Sequence, residues 1–309
     1  MTTLVTGSNG LVGFALRELM PSDSYFATRN DADLTNFDQT MDLFSTVKPS
    51  RVIHLAALVG GIGVNQINSA AYFMGNLQMN INTLEAARIH RVEKFVSFMS
   101  TCVFPDNATY PLKVSSLHQG PPHPSNFGYA YAKRMLEVQT RAYRLQWGLN
   151  YSVGIPANIF GPNDNFHLEE GHVIPALIHK FFIAAQSNTS VSIWGSGNPL
   201  REFVYSKDIA HLALWMLDKY EDVEPLILSS DSEISIRQLV KIIVEEMGFS
   251  GNITFDESKP DGQYRKPSDS SRLKELYPAF EFSNFRDSLR STIQWFQQNY
   301  PNVRGVQNV

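Results

Sequence analysis

The sequence predicts an α/β fold built on a parallel, doubly wound sheet, and three observations carry that expectation. Short β-rich runs alternate with longer helical patterns through the first half of the chain. The strand-like runs are apolar on both faces, as in a sheet covered by helices on each side. A glycine-rich turn joins the first strand to the first helix.

In chain order the strand candidates are Thr2 to Thr6, a second ending near Ala27-Thr28-Arg29, then Arg51 to Leu55, Phe95 to Phe98, Tyr151 to Ile155 and Leu226 to Leu228. The intervening helical patterns are Leu11 to Met20, Phe37 to Val47, Leu77 to Arg91 and Tyr129 to Trp147. After Pro156 the rhythm changes. Residues 161 to 204 are rich in Gly, Pro and Asn, with one helical pattern from Val173 to Ala185. Residues 231 to 300 read as helix, short strand, loop and helix. The expected division is residues 1–160, with a segment of about 203–230 returning to that unit, and 161–309 as a smaller, interleaved α/β unit. No internal repeat or low-complexity tract is present.

The chain has 309 residues, 43% hydrophobic and 18% charged, which is ample for a large core. A formal charge of -4 gives no general attraction to nucleic acid or an anionic membrane. The lone cysteine, Cys102, excludes a disulfide within the chain and points to a reducing compartment. No signal-peptide pattern precedes the glycine turn and no apolar run reaches the roughly 18 residues of a membrane span, so a cytoplasmic protein is expected. No cluster has metal-ligand spacing, and no metal is expected.

The turn reads Thr6-Gly7-Ser8-Asn9-Gly10-Leu11-Val12-Gly13, with glycines at steps of three. Glycine permits the tight turn and lets the backbone approach a pyrophosphate, which the helix N-terminus then binds. The fold is thus expected to be of the Rossmann type, holding a nicotinamide dinucleotide. Arg29 at the end of the second strand suits a 2′-phosphate and favours NADP(H), although Asp31 and Asp33 follow closely.

Tyr129 and Lys133 are four apart on one helix and share a face. A nearby ammonium is expected to lower the tyrosine pKa and favour phenolate, so that the pair passes a proton to or from a carbonyl or alcohol oxygen. Lys133 can also bond a cofactor ribose. Ser100 ends the Phe95–Phe98 strand, at the sheet edge where such folds bind ligands. The loop from Cys102 to Gly128 is long and proline-rich.

With these motifs the chain resembles the extended short-chain dehydrogenase/reductase family. Within it, the resemblance is closer to the epimerase-reductases of a GDP-linked 4-keto-6-deoxymannose. The matching segments include His54-Leu55-Ala56-Ala57, Ser100 through Pro105, Asn158 through Pro162, Asp164-Asn165-Phe166, Gly171 through Pro175, Trp194 through Gly197 and Lys259 through Gly262. The resemblance implies NADPH-dependent inversion at C3 and C5 followed by reduction at C4. It implies Cys102 as base, His172 as acid, and Ser100 and Tyr129 on the C4 oxygen. It places Asp33, Leu34, Ala56, Ala57, Lys133, Asn158 and His172 about the cofactor, beside the glycine turn and Arg29. Lys180, Trp194, Arg201 and Asp261 are implied as contacts to the GDP-sugar, and a homodimer is the implied assembly.

Rival readings are another nucleotide-sugar epimerase or 4,6-dehydratase, or a non-catalytic dinucleotide sensor. A dehydratase wants carboxyl groups beside the active hydroxyl residue, whereas Thr101-Cys102-Val103 follow Ser100. A simple 4-epimerase has no use for the Cys102 and His172 pair. A sensor can lose the tyrosine or lysine, and both are present.

Overall fold

The computed structural model describes residues 1–259 and 261–306; Pro260, within the Lys259–Gly262 segment, and residues 307–309 lie outside them. The chain opens with β1 (Thr3–Thr6), α1 (Leu11–Leu19), β2 (Tyr25–Phe26), α2 (Phe37–Val47) and β3 (Arg51–His54). It continues through α3 (Ile62–Ile67), α4 (Ser69–Ile89), β4 (Lys94–Phe98), α5 (Phe127–Trp147) and β5 (Asn150–Pro156). Then come β6 (Asn158–Phe160), α6 (Val173–Ser187), β7 (Val191–Trp194), β8 (Leu200–Tyr205), α7 (Ser206–Lys219) and β9 (Leu226–Leu228). The remainder is β10 (Glu233–Ser235), α8 (Ile236–Met247), β11 (Ile253–Asp256), α9 (Ser271–Leu276) and α10 (Phe285–Asn299).

The main sheet has the order β2-β1-β3-β4-β5-β9, and all its pairs are parallel. Strand side chains alternate between faces, and the two faces feed two cores. Leu4, Val52 and Phe95 pack with Leu43, Phe44, Leu84 and Leu136, on the side of α2, α4 and α5. Their neighbours Val5, Ile53 and Val96 pack with Leu16, Ile209 and Leu212, on the side of α1 and α7. Strand order reverses between β1 and β3, so a crevice opens past their carboxyl ends, where ligands of such sheets bind.

A third core, built from Phe160, Phe166, Phe181, Leu239, Ile293 and Phe296 among others, holds the C-terminal elements together. Two small sheets accompany it: β10-β8-β6 and a parallel β11-β7 pair. α8 starts on a capping box between Ser235 and Gln238.

The structure departs from the sequence expectation in three places. β2 ends at Phe26, short of Ala27–Arg29. α4 begins at Ser69 rather than Leu77, because its buried side carries Asn76, Asn80 and Thr83 among the apolar residues and so breaks the amphipathic pattern. Asn76 bonds both Leu58 backbone groups, donating to its carbonyl at 3.0 Å and accepting its N–H at 2.9 Å. The region from 161 to 204 also contains β7 and most of β8, strands too short to declare themselves. Among the described residues, no helix is long and apolar enough to cross a membrane.

Candidate active site

The glycine turn is built for close approach. Gly7 has φ +67°, and a Cβ there would lie 2.6 Å from the Ala56 backbone nitrogen at the end of β3. A Cβ on Gly13 would lie 2.6 Å from the Cα and carbonyl oxygen of Ser8. The turn closes with Gly10 N–H donating to the Gly7 carbonyl at 2.9 Å. No side chain caps α1 and its first turn holds no acidic residue, so its leading N–H groups and positive end suit an external anion. Ser8 is buried and accepts from Arg17 at 3.0 Å, while Asn9 is tied by its carbonyl to Asn163 at 2.9 Å. Leu11 and Val12 complete the turn. At its side Arg29 is exposed, 4.0 Å from Asp33, with Leu34 buried behind. This arrangement fits a phosphorylated dinucleotide.

Tyr129 lies in the first turn of α5 and is only 9% exposed. The helix enters pressed against α4: a Cβ on Gly128 would meet the Ser69 carbonyl oxygen at 2.3 Å. One turn later Lys133, 4% exposed, donates to the Phe98 carbonyl at 3.0 Å. Phe98 is the last residue of β4; Ser100 follows in extended conformation and leads into a 3₁₀ turn, Thr101–Val103, that presents Cys102 half-buried. Arg134 fastens this turn, donating to the Val103 carbonyl at 2.6 Å and to the Gly120 carbonyl at 2.7 Å.

The expected phenolate is not what the structure provides. Burial, and then the negative charge of Cys102, push the Tyr129 pKa well above the usual tyrosine value. Lys133 is occupied by the Phe98 carbonyl, and its own pKa is pulled down to about 8 by burial, with Cys102 acting in the opposite sense. Tyr129 is therefore held as the protonated acid.

Sequence reasoning missed Lys266. Burial lowers its pKa foremost; the charge of Cys102 acts in the opposite sense, Arg201 in the same sense as burial, and Asp106 again in the opposite one. It sits in an irregular strap where no periodicity marks it; its only signal is its position five residues after Asp261. Also missed was a buried line from the glycine turn to α5. Thr6 Oγ1 lies 2.8 Å from His54 Nδ1, and His54 Nε2 lies 3.2 Å from Asn80 Oδ1. Asn80 Nδ2 donates to the Ala132 carbonyl at 3.4 Å. Since Asn80 must turn its NH₂ to that carbonyl, His54 carries its proton on Nε2. Burial foremost, and Lys133 next, keep it neutral with a pKa of about 3.

Of the residues implied for substrate, Arg201 and Asp261 lie near one another: burial lowers the Arg201 pKa, and the charges of Tyr110 and Asp261 act in the opposite sense. Asp261 also accepts Ser196 N–H and Oγ–H, both at 2.7 Å, and Gly195 at φ +80° leaves the room, since a Cβ would sit 2.2 Å from its Oδ1. Trp194 is 65% exposed, with Lys259 5.7 Å over its ring. Lys180 donates to the Ser192 carbonyl at 3.0 Å. Asn158 donates to the Glu202 carbonyl at 2.8 Å. His172 precedes α6, with its Nδ1 4.0 Å from Asp164 Oδ1; among the described residues no hydrogen bond ties it to Cys102. Ala56 and Ala57 follow β3 beside the glycine turn. Among the described residues no group of three or more His, Cys, Asp or Glu is placed to hold a metal.

A protonated Tyr and a buried Lys, set beside an uncapped glycine turn at the switch point of a parallel sheet, define a dinucleotide-dependent short-chain dehydrogenase/reductase. The NAD dependent epimerase/dehydratase family matches residues 3–228. The GDP-L-fucose synthase of Dictyostelium discoideum is 44% identical over 98% of this chain and 97% of its own. That of Escherichia coli is 34% identical over 97% and 98%. A crystal structure of a GDP-L-fucose synthetase from Naegleria fowleri bound to NADP superposes with a TM-score of 0.92, at 40% identity over 98% of this chain and 94% of that one. The chain belongs to the NAD dependent epimerase/dehydratase family, in its GDP-L-fucose synthase branch.

Proposed function

We propose that the chain converts GDP-4-keto-6-deoxy-D-mannose to GDP-L-fucose with NADPH, by inversion at C3 and C5 and reduction at C4. The observation that carries this reading is the placement of Cys102, half-buried, in the turn after β4, the strand whose last carbonyl is held by Lys133 of the Tyr129 helix. A C4 ketone acidifies the hydrogens on C3 and C5. Cys102 takes one of these as its thiolate, and His172 returns a proton on the opposite face. Ser100 and Tyr129 hold the C4 oxygen, whose charge grows as the C–H bond breaks. Lys133 and Lys266 supply positive charge beside the thiolate. The glycine turn would hold NADPH, with Arg29 suited to its 2′-phosphate, and the bound cofactor would supply the hydride for C4. Tyr129 then gives its proton to the oxygen. Arg201, Lys180, Trp194 and Asp261 form the GDP-sugar side.

The same reading divides the chain into a cofactor unit, residues 1–160 with about 203–230, and a substrate unit over 161–309. Pairing of β9 with β5 supports the return. It also makes the protein a cytoplasmic homodimer. In support, α4 and α5 pack together and leave Met74, Ile81, Met135, Val138 and Leu145 exposed.

The test is to incubate the protein with GDP-4-keto-6-deoxy-D-mannose and NADPH, follow NADPH absorbance and identify the sugar. GDP-L-fucose is the expected product. No NADPH oxidation, or a reduced but uninverted sugar, overturns the reading. Cys102→Ser is expected to suppress solvent deuterium exchange into the substrate while leaving NADPH binding intact.

A further inference from the structure

Asp164 lies in the loop between β6 and α6 and is 4% exposed. Its Oδ1 accepts the Asn165 N–H at 2.7 Å, whereas Oδ2 is buried without a hydrogen-bond partner. Native folds seldom leave a buried carboxylate oxygen unmet without a role for it. Among the described residues the carboxyl makes no hydrogen bond to the glycine turn, and no step of the proposed reaction uses it. Its nearest titratable neighbour is His172, whose Nδ1 lies 4.0 Å from Oδ1.

We propose that Asp164 is the positioning residue of His172: its carboxyl takes the Nδ1–H of the imidazole and leaves Nε2 to face the sugar. The proposal rests on the reading of His172 as the acid. The two ring nitrogens have separate tasks, and the partner of one decides what the other does. A carboxylate only accepts, so the nitrogen that meets it keeps its proton. Nε2 can then release its hydrogen as the new C–H bond forms from the enolate electron pair. The charges of imidazolium and enolate cancel, the C4 ketone is restored, and the imidazole is left neutral with its proton on Nδ1.

The surroundings hold the backbone still and leave the ring free. The His172 carbonyl accepts from Ala176 at 3.0 Å, and Gly171 N–H donates to the His167 carbonyl at 3.0 Å. From the other side Gly61 N–H donates to the Glu170 carbonyl at 2.9 Å. With the backbone tied, the closing of the gap falls to the two side chains. Burial raises the Asp164 pKa, while His172, the Asn165 N–H and Arg304 all favour its charged form. Arg304 comes from the C-terminal segment, whose carbonyl at that residue accepts Phe166 N–H at 2.9 Å.

The test compares full-length wild type with Asp164→Asn and His172→Gln. Nitrogen-15 NMR of labelled histidine is expected to show the neutral His172 ring with its proton on Nδ1. In Asp164→Asn the negative charge that holds the Nδ1 proton is lost, and the ring is expected to shift toward the tautomer with its proton on Nε2. Inversion of the sugar is expected to slow at least about tenfold, whereas solvent exchange without inversion, which needs only Cys102, persists. NADPH binding stays unchanged, and Asp164→Glu recovers part of the inversion rate. Wild-type inversion in His172→Gln would overturn the reading of His172 itself. Loss of inversion in His172→Gln, with wild-type rate and wild-type nitrogen shifts in Asp164→Asn, would overturn the role of Asp164 alone. If Asp164→Asn does not fold, the wild-type spectrum decides: a proton on Nε2 overturns the proposal.

Discussion

Lys133 donates its ammonium hydrogen to the Phe98 carbonyl at 3.0 Å and so pins the helix that bears Tyr129 to the strand that leads to Ser100 and Cys102. Burial makes Lys133, rather than Tyr129, the member of the pair that titrates near neutrality. Its pKa is about 8, and that of Tyr129 lies above the usual tyrosine value. Reduction is expected to decline as pH rises through about 8, which a kcat/KM profile of NADPH oxidation reads directly. A decline confined to about pH 10 and above would assign it to another group.

The same shift has a consequence for stability. Lys133 titrates at about 8 in the fold against an ordinary 10.5, so below pH 8 it opposes folding. That opposition fades as pH rises from about 8 toward 10.5, where the unfolded chain binds more protons than the native one. The shift corresponds to about 3 kcal/mol, and loss of the charged Phe98 bond offsets about 1.5–3 kcal/mol of it. Lys133→Met is thus expected to leave stability at neutral pH within about 1.5 kcal/mol of wild type while abolishing reduction, as denaturant melts and activity assays would show. A variant destabilised by more than about 3 kcal/mol would contradict the assignment of burial as the dominant effect.

Tyr129→Phe removes the acid and keeps the ring. NADPH oxidation is expected to fall by about 10² to 10⁴, with deuterium exchange into the 4-keto sugar retained. Loss of both in a folded variant would mean that Tyr129 serves the inversion as well.

Lys266→Met removes a strap cation whose charge is felt by Cys102 and Arg201. We expect inversion to slow by about tenfold or more and the KM for the GDP-sugar to rise, since a single charged contact contributes about 1.5–3 kcal/mol. NADPH affinity, measured by fluorescence titration, should not move.

Gly13→Ala places a methyl group 2.6 Å from the backbone of Ser8. The overpacking is expected to cost about 1–3 kcal/mol, to lower Tm and to weaken NADPH binding together. A normal Tm would mean that α1 shifts freely against the turn.

Arg29→Ser takes away an exposed guanidinium assigned to the 2′-phosphate. The preference for NADPH over NADH should fall by about ten- to hundredfold, as a charged hydrogen bond of about 1.5–3 kcal/mol implies. An unchanged preference would place that recognition elsewhere.

What the sequence made legible follows the reach of its periodicities. Buried strands such as Phe95–Phe98 and the long helix behind Tyr129 are continuous patterns, and the glycine steps at 7, 10 and 13 announce their own turn. Beyond Pro156 the strands are three to six residues long and pair with partners distant in sequence, so no local pattern marks them. The site divides in the same way. Tyr129 and Lys133 share a helix and could be paired by spacing alone. Lys266 and Asp164 lie on irregular segments, where only the tertiary fold shows which groups they meet. The protonation of Tyr129 ran against the local argument because burial outweighs the effect of a lysine already engaged by a carbonyl.

The strap that carries Asp261 and Lys266 is laced to the loop after Cys102. Leu112 N–H donates to the Pro267 carbonyl at 2.8 Å, and Asp269 N–H donates to the Leu112 carbonyl at 2.9 Å. Gln263 reaches the Tyr110 hydroxyl at 2.9 Å across 153 residues of sequence. During synthesis, β1, the glycine turn and β3 can meet while most of the polypeptide is still unmade. The lacing must wait for residues past 260, and closing so wide a span is entropically the slower event. A nascent chain halted short of the strap would therefore own the dinucleotide turn and the acid tyrosine before it could grip a sugar, which makes cofactor capture the earlier milestone in the maturation of this protein.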